Sequence, residues 1–293
     1  MSDRWVLGII GGSGLYQLDG LEVLSKERVH TPWGEPSGPL VKARLEGVDV
    51  VFLPRHDEGH RIPPGAINYR ANIDALKRAG VTDVLSLSAC GSLRESLPPG
   101  TFVVVDQYVD RTFAREKSFF GEGCVAHVSM ARPVCARLSA MAAGAARAAG
   151  PKKVHEGGTY LVMEGPQFST VAESHLYRSW GMDLIGMTNM PEAKLAREAE
   201  LPYASVGMVT DWDCWKFEGA EVSVTDVLAV LKDNAANAAA LVRNLAATMA
   251  ATPRTPSPDG IETVLDTAII TPPEHREPEL LAKLDAVAGR VIS

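Results

Sequence analysis

The chain has few cysteines, and none stands at a spacing typical of metal or redox sites. Four are scattered over 293 residues without any C-x-x-C pair: Cys90, Cys124, Cys135 and Cys214. A disulfide framework needs a denser, paired set of cysteines, and a zinc site needs closely spaced ligands. The sequence therefore predicts reduced thiols in the cytoplasm and no metal site made from them.

Long apolar runs and basic clusters are also missing. No run approaches the length that crosses a bilayer, and no charged segment followed by an apolar one predicts a signal peptide near Met1. The formal net charge is -7, and lysine and arginine residues form no stripe. We therefore expect neither a membrane nor a nucleic acid as a partner.

Strand patterns alternate with helical patterns along most of the chain. The predicted strands cover residues 6–10, 48–53, 84–87, 102–105, 160–163, 184–185 and 204–209. The helical patterns cover residues 66–79, 133–149, 169–180, 191–200 and 223–250, with Gly150 as a C-cap and Ser223 as an N-cap. Nearly continuous apolar strands are typical of sheets covered on both faces. The sequence thus predicts an α/β fold with a mixed, mostly parallel central sheet flanked by helices.

A proline-rich segment divides the chain near its end. Residues 252–260 contain three prolines and a glycine, which interrupt regular structure. The tail beyond has one predicted helix, 278–287, and is too small to bury a core by itself. We expect a single domain over residues 1–251. Residues 252–293 then form a linker and a C-terminal helical tail that packs on this domain or on a neighbouring subunit.

Asp211 and Asp213 follow a predicted buried strand with one residue between them. In open α/β sheets, ligands bind beyond the carboxyl ends of the strands, where both side chains emerge. A carboxyl group there can donate a proton or accept a hydrogen bond from an amino group. These two contacts match the N7 and N6 edge of an adenine ring.

Three earlier strand ends carry residues suited to an anion. Ser13 lies in a glycine-rich loop, Arg55 and His56 follow a second strand, and Ser88 ends a third. Glycines let backbone N–H groups turn toward an anion, and arginine binds phosphate bidentately. The loop matches neither a dinucleotide fingerprint nor a P-loop, and each segment alone is compatible with a structural turn. Convergence of all three on one oxyanion is our hypothesis.

Two further patterns have structural alternatives. His56 and His60 are four residues apart, as in some metal sites, but Gly59 disfavours a helix there and the H-E-x-x-H order is absent. Phe168 and Met187 follow later strands and can pack on a planar base and a sugar. Such residues are more often part of a core than of a site.

Seven segments match the motifs of one enzyme family: Gly11-Gly12-Ser13-Gly14-Leu15, Arg55-His56, Asn68-Tyr69-x-Ala71-Asn72-Ile73, Ala89-Cys90-Gly91-Ser92-Leu93-Arg94, Glu164-Gly165-Pro166-x-Phe168-Ser169, Met187-Thr188 and Thr210-Asp211-Trp212-Asp213-Cys214-Trp215-Lys216. Through them the chain resembles the S-methyl-5'-thioadenosine phosphorylases of the trimeric purine nucleoside phosphorylase superfamily. The resemblance covers roughly residues 6–250.

The resemblance implies a pentosyltransferase of purine and methionine salvage, working as a cytoplasmic homotrimer. Methylthioadenosine and phosphate would give adenine and 5-methylthioribose 1-phosphate, with 5'-deoxyadenosine as a further candidate substrate. Phosphate is a co-substrate, and no metal or organic cofactor is implied.

The family's site residues are carried over by position. Phosphate contacts fall on Ser13, Arg55, His56, Ser88, Ala89 and Thr188. Nucleoside contacts fall on Phe168, Met187, Asp211, Asp213, Val224, Val227 and His127. Met187 would lie at the ribose, and Val224 and Val227 would line the 5'-methylthio pocket. His127 would reach the site of a neighbouring subunit. Gly186 departs from the family, because some members carry Asn there.

Asp211 is the expected catalytic group. A protonated carboxyl at N7 would neutralise the leaving base, and a phosphate below the sugar would stabilise its oxocarbenium character. We expect burial beside Phe168 and Trp212 to raise the pKa of Asp211 and so retain its proton.

Two alternative functions remain open. A 6-oxopurine nucleoside or methylthioinosine phosphorylase is the nearer one, but such relatives carry Asn in place of Asp211 and Glu in place of Ser169. A non-enzymatic nucleotide-binding module is the more distant one, and it would need no proton donor. Phosphate-dependent release of free base distinguishes an enzyme from a binding module.

Overall fold

The fold is organised around one branched sheet. The structure is a computed structural model that describes residues 4–12, 18–216 and 224–292. The side chains of residues 224–229 and 231 are not described. The sheet has 11 strands: β1 (Val6–Gly11), β2 (Glu22–Glu27), β3 (Leu40–Leu45), β4 (Val48–Pro54), β5 (Asp83–Ser92), β6 (Thr101–Val104), β7 (Gln107–Arg111), β8 (Lys153–Glu156), β9 (Thr159–Met163), β10 (Leu184–Gly186) and β11 (Tyr203–Asp211). The strand order is β2-β3-β4-β1-β5-β10-β9-β7, while β11 pairs with β5 and β6, and β6 pairs with β8.

Strand β5 is where the sheet branches. Its first half pairs in parallel with β1, its last two residues pair antiparallel with β10, and β11 runs parallel along its other edge. Six of the strand pairs are parallel and four are antiparallel. The predicted mixed, mostly parallel sheet is confirmed. Because the parallel strands end together, their terminal residues meet at one edge.

Helices cover both faces of this sheet. They are α1 (Tyr69–Arg78), α2 (Ala136–Ala149), α3 (Val171–Ser179), α4 (Asn189–Glu198), α5 (Val224–Ala251), α6 (Pro278–Lys283) and α7 (Asp285–Ile292). Helix α1 packs against α4 on one face, and α2 packs against α5 on the other. In the part of the chain that the structure describes, no helix is long and apolar enough to span a membrane.

Helix boundaries follow local capping chemistry. Helix α1 begins three residues later than predicted, because the Asn68 side chain accepts a hydrogen bond from the Ala71 backbone N–H and so acts as the N-cap. Helix α2 ends at Gly150 in the left-handed conformation, with φ of 83°, as predicted. The predicted N-cap Ser223 lies outside the described residues.

The C-terminal tail packs on the face that carries α1 and α4. Leu265, Leu284 and Val287 are buried in the same apolar cluster as those helices. The single helix predicted over 278–287 is wrong, since two short helices form there with Leu284 between them. The tail thus contacts the chain's own domain, and the division at residue 251 stays a prediction.

Candidate active site

A cavity of about 390 Å³ opens at the carboxyl ends of the central strands. Strands β1, β4, β5, β9, β10 and β11 all end at it. Its lining includes Gly12, Arg55, His56, Ser88, Ala89, Gly91, Phe168, Gly186, Met187, Thr188, Asp211 and Asp213. Nine predicted site residues are therefore brought together at the edge where an α/β sheet binds its ligands.

Four predicted site residues are not part of this described lining. Ser13 lies outside the described residues, and so do the side chains of Val224 and Val227. His127 is exposed and does not line the cavity. Its backbone N–H donates to the Ala268 carbonyl oxygen at 2.9 Å, which ties it to the C-terminal tail.

The Asp211 carboxylate is held by two donors from its own strand end. The Thr210 hydroxyl donates to one oxygen at 2.7 Å, and the Asp213 backbone N–H donates to the other at 2.8 Å. Gly91 on the neighbouring strand β5 makes room, because a Cβ atom there would lie 2.9 Å from an Asp211 oxygen. Asp211 is half-buried, so its carboxylate faces the cavity in a fixed orientation.

Asp213 is the more deeply buried member of the pair. Only 7% of it is exposed, and its backbone has a φ of 52° in the left-handed region, which turns the chain back after β11. Burial raises the pKa of its carboxyl, and the nearby charge of Asp211 raises it further. The pair therefore combines a carboxylate fixed by hydrogen bonds with a second carboxyl whose pKa lies above its ordinary value.

Arg55 lies at the opposite end of the cavity in a buried ion pair. Its Nε donates to Glu192 at 2.8 Å, and both side chains are at most 2% exposed. Its terminal nitrogens also donate to the Leu87 carbonyl oxygen at 3.2 Å and to the Ser86 hydroxyl at 2.6 Å. The guanidinium is therefore fixed beneath the cavity, and its charge is balanced by a carboxylate.

His56 is fixed by one hydrogen bond to the backbone. Its Nδ1 lies 2.8 Å from the Ile62 carbonyl oxygen, which can only accept, so Nδ1 carries the proton. Burial, together with the charge of Arg55, lowers the pKa of His56 to about 4. The neutral ring stacks on His60 with centroids 4.2 Å apart. It leaves Nε2 as an acceptor.

Hydroxyl groups complete this end of the cavity. The Ser88 hydroxyl donates to the Asn189 side-chain oxygen at 3.0 Å. Thr188 is the N-cap residue that precedes helix α4, is 5% exposed, and makes no side-chain capping bond. Its hydroxyl therefore does not cap the helix, although a threonine at this position commonly does so. Ala89 is exposed to the cavity and brings the backbone of β5 against it.

Met187 and Phe168 form another part of the cavity lining. Met187 packs on Gly165, where an added Cβ atom would lie 2.5 Å from the Met187 sulfur. Gly165 also has a φ of 66°, so both its conformation and this contact favour glycine. Phe168 is 54% exposed and presents its ring at the cavity.

Two buried charged residues of the site were missed from the sequence. Glu192 pairs with Arg55, and Arg115 donates to Glu164 and to several carbonyl oxygens behind the cavity wall. Neither stands in a pattern that predicts burial, because the ion-pair partner of each lies 49 or more residues away. In the described part of the chain, no group of three or more His, Cys, Asp and Glu side chains is placed to hold a metal ion.

A family model of the phosphorylase superfamily matches residues 6–247, which span nearly all of the sheet and every cavity residue named above. The chain belongs to the phosphorylase superfamily. Its match ends within helix α5, before the proline-rich segment and the tail.

Proteins named S-methyl-5'-thioadenosine phosphorylase are similar over nearly the full length. The protein from Cereibacter sphaeroides is 61% identical over 289 residues, covering 99% of both chains. The protein from Bradyrhizobium diazoefficiens is 62% identical over 289 residues, covering 98% of both chains. These matches include residues 252–293 to within a few positions, so the tail is shared with these relatives.

Solved structures of similar proteins have the same fold. A methylthioadenosine phosphorylase from an antarctic soil metagenomic library has a TM-score of 0.91 and 44% identity, covering 98% of this chain and 99% of that one. A methylthioadenosine phosphorylase from Schistosoma mansoni, in complex with adenine, has a TM-score of 0.85 and 38% identity, covering 90% and 99%.

Proposed function

We propose that this protein catalyses the reversible phosphorolysis of S-methyl-5'-thioadenosine to adenine and 5-methylthio-α-D-ribose 1-phosphate, in purine and methionine salvage. The main support is that one cavity is lined both by a pair of carboxyl groups and by arginine, histidine, serine and threonine side chains of the kinds that suit an anion. The relatives that share this fold and sequence are named for this reaction, and one of them binds adenine.

The carboxyl end suits the leaving base. Cleaving an N-glycosidic bond places negative charge on the purine, and a carboxyl group at N7 relieves it by donating a proton. Asp211 is assigned this role. Asp213, whose pKa is raised by burial, is assigned to the base together with Asp211, and the pair supplies the acceptor for the 6-amino group. Phe168 offers its ring to the flat face of the base.

The opposite end suits phosphate. Arg55, His56, Ser88, Ala89 and Thr188 are assigned to it, together with Ser13, which precedes them in the chain. A phosphate held there lies next to the sugar and stabilises the positive charge that develops at C1'. Its nucleophilic oxygen then forms the bond to C1' as the bond to the base breaks. No cofactor is needed, because the phosphate is consumed as a co-substrate.

The 5' end of the nucleoside is assigned to an apolar pocket shared between subunits. Val224 and Val227, near the start of helix α5, are assigned to this pocket, and Met187 is assigned to the ribose. His127 does not line the cavity of its own chain, which supports its assignment to a neighbouring subunit's site in a homotrimer. We place the trimer in the cytoplasm, in line with its four unpaired cysteines.

One assay tests the proposed reaction. Initial rates are measured on methylthioadenosine, 5'-deoxyadenosine, adenosine and methylthioinosine, each with and without phosphate. We expect adenine release that requires phosphate, with little activity on methylthioinosine. An apolar 5' pocket should favour methylthioadenosine over adenosine by about ten- to a hundredfold, because it leaves the 5'-hydroxyl unpaired. Release of base that does not depend on phosphate would contradict phosphorolysis.

Light scattering tests the shared site. We expect a homotrimer. His127→Ala should raise the KM for the nucleoside without changing the oligomeric state. A monomer that is fully active at the assay concentration would show that each site is complete within one chain.

A further inference from the structure

One buried arginine behind the cavity ties together three segments that surround it. Arg115 lies in the loop after β7, and only 1% of its side chain is exposed. Its Nε donates to Glu164 at 3.0 Å, forming an ion pair with a carboxylate that is 13% exposed. The other nitrogens of the guanidinium donate to backbone carbonyls and to one phenol.

The carbonyl acceptors belong to the two loops that carry the nucleoside-contacting wall. One terminal nitrogen donates to Met187 at 2.6 Å and Met190 at 2.7 Å. The other donates to Glu164 at 2.6 Å and Met163 at 3.4 Å. The first pair of carbonyls spans the turn that contains Thr188. The second begins the turn that leads to Phe168.

The phenol acceptor extends this network to a third wall. Arg115 donates to the Tyr69 hydroxyl at 3.0 Å, and that hydroxyl donates in turn to the Pro64 carbonyl oxygen at 3.0 Å. Pro64 lines the same cavity as Met187. Tyr69 is 3% exposed, so this connection is also shielded from water.

The loop that supplies Arg115 is itself held by the same carboxylate. The backbone N–H groups of Phe113 and Ala114 donate to the second oxygen of Glu164, at 2.7 and 3.3 Å. One oxygen of Glu164 therefore binds the guanidinium, and the other binds the backbone of the loop that carries it. The arginine cannot shift without breaking charge-assisted hydrogen bonds, which are stronger than neutral ones.

We propose that Arg115 is the positioning residue of the nucleoside-binding wall, setting the places of Met187 and Phe168 while contacting no substrate itself. The proposal rests on the function assigned to this cavity. Only a planar guanidinium presents five N–H donors in one plane, so lysine cannot serve four carbonyl oxygens, a phenol and a carboxylate together. A displacement of about 1 Å in a group that contacts the substrate can lower the reaction rate about a hundredfold. Loss of the Arg115 hydrogen bonds should therefore lower the rate of the reaction.

The test compares two buried arginines. Arg115→Lys is the test variant, and Arg254→Lys is the control, because Arg254 is 5% exposed and bonded to Asp83 and Glu262 on the tail side of the molecule. For both we measure the unfolding temperature, the steady-state constants, and the dissociation constant of methylthioadenosine by calorimetry without phosphate. All binding and kinetic measurements are made well below both unfolding temperatures.

We expect both variants to lose thermal stability and only Arg115→Lys to lose function. Its kcat/KM should fall by about ten- to a hundredfold, with a rise of about tenfold in the dissociation constant of methylthioadenosine. Arg254→Lys should keep both constants within about twofold of the wild type. Glu164→Gln, which keeps the shape but removes the charge, should shift the constants in the same direction by less.

Two outcomes would overturn the proposal. One is a folded Arg115→Lys variant whose dissociation constant and kcat/KM match the wild type. The other is an equal loss in Arg254→Lys, which would reduce the effect to general destabilisation. If Arg115→Lys does not fold, unchanged constants in Glu164→Gln would overturn it as well. A wild type that binds methylthioadenosine but never releases adenine would contradict the proposed function, while the binding comparison would still test Arg115.

Discussion

Arg55 and Glu192, which are 137 residues apart in sequence, form a buried ion pair at the cavity, with Nε and a carboxylate oxygen 2.8 Å apart. Glu192 also accepts from the hydroxyls of Ser86 and Tyr203, at 2.6 and 2.8 Å. The arginine is thus part of the folded core as well as of the site. With Arg55 assigned to phosphate, a substitution there should change stability and phosphate affinity together.

Arg55→Met should therefore destabilise the protein and raise the KM for phosphate. It leaves the Glu192 carboxylate buried and unpaired, which costs about 3–5 kcal/mol in the free energy of unfolding. The double variant Arg55→Met/Glu192→Met should regain much of that stability, because neither charge is then buried. Its phosphate KM should stay high. Denaturant unfolding and phosphate saturation curves measure the two effects separately. A double variant with normal phosphate KM would place the anion site elsewhere.

Asp211→Asn should lower kcat on methylthioadenosine by at least about a hundredfold, because the amide cannot donate a proton to N7 as a carboxyl does. Activity on methylthioinosine, relative to methylthioadenosine, should rise, since an amide can donate to a 6-oxo group. The amide keeps the size of the carboxylate, so the fold should persist. Near wild-type kcat on methylthioadenosine would exclude Asp211 as the general acid.

His56 should make the protein more stable as the pH rises from about 4 to 6.5. Its pKa falls from 6.5 in the unfolded chain to about 4 in the fold, so the unfolded chain binds more protons in this window. Stability contributed by the neutral ring is complete above pH 6.5 and is lost as the pH falls toward 4, by about 3 kcal/mol in total. Residue 56 cannot titrate in His56→Gln, so denaturant unfolding of this variant should lack the rise in stability between about pH 4 and 6.5. An identical pH profile in the variant would refute it.

Glu198 should have the opposite effect over nearly the same range. Burial raises the pKa of its carboxyl from 4.5 to about 7, although the Phe119 N–H and the Ser118 hydroxyl donate to it. The folded chain then binds more protons than the unfolded one, so stability falls by about 3 kcal/mol as the pH rises from 4.5 to 7. Glu198→Gln should be more stable than the wild type at pH 8 and similar to it at pH 4.5.

The two titrations offset each other in the wild type, so its own pH profile should be flatter than that of either variant. The two single variants should show slopes of opposite sign between pH 5 and 6.5. If both variants keep the wild-type profile, neither group controls stability in this range. The double variant His56→Gln/Glu198→Gln serves as the control, since neither titration remains in it.

Much of the fold follows from local sequence. The strands that were predicted are those buried on both faces, because a continuous apolar run distinguishes them from their surroundings. Strands β2, β3, β7 and β8 were not predicted. Strands β2, β7 and β8 are polar, partly or largely exposed segments whose strand conformation comes from pairing with a neighbour rather than from their own residues. Strand β3 is mostly buried, but Lys42 and Arg44 interrupt its apolar run. The single tail helix was predicted wrongly because it breaks at Leu284, whose side chain is buried in the core of the domain. Packing against the rest of the chain decides this break, and the local sequence does not show it.

The sequence by itself determined the residue types at the strand ends, because in parallel α/β sheets these ends meet at one edge whatever the details of the fold. Asp211, Arg55 and Ser88 could be named on that ground. Only the tertiary structure decided their partners. The pairing of Arg55 with Glu192, the burial that distinguishes Asp213 from Asp211, and the convergence of six hydrogen bonds on Arg115 join residues far apart in the chain. Burial and hydrogen-bond geometry are properties of the packed chain, and no local pattern encodes them.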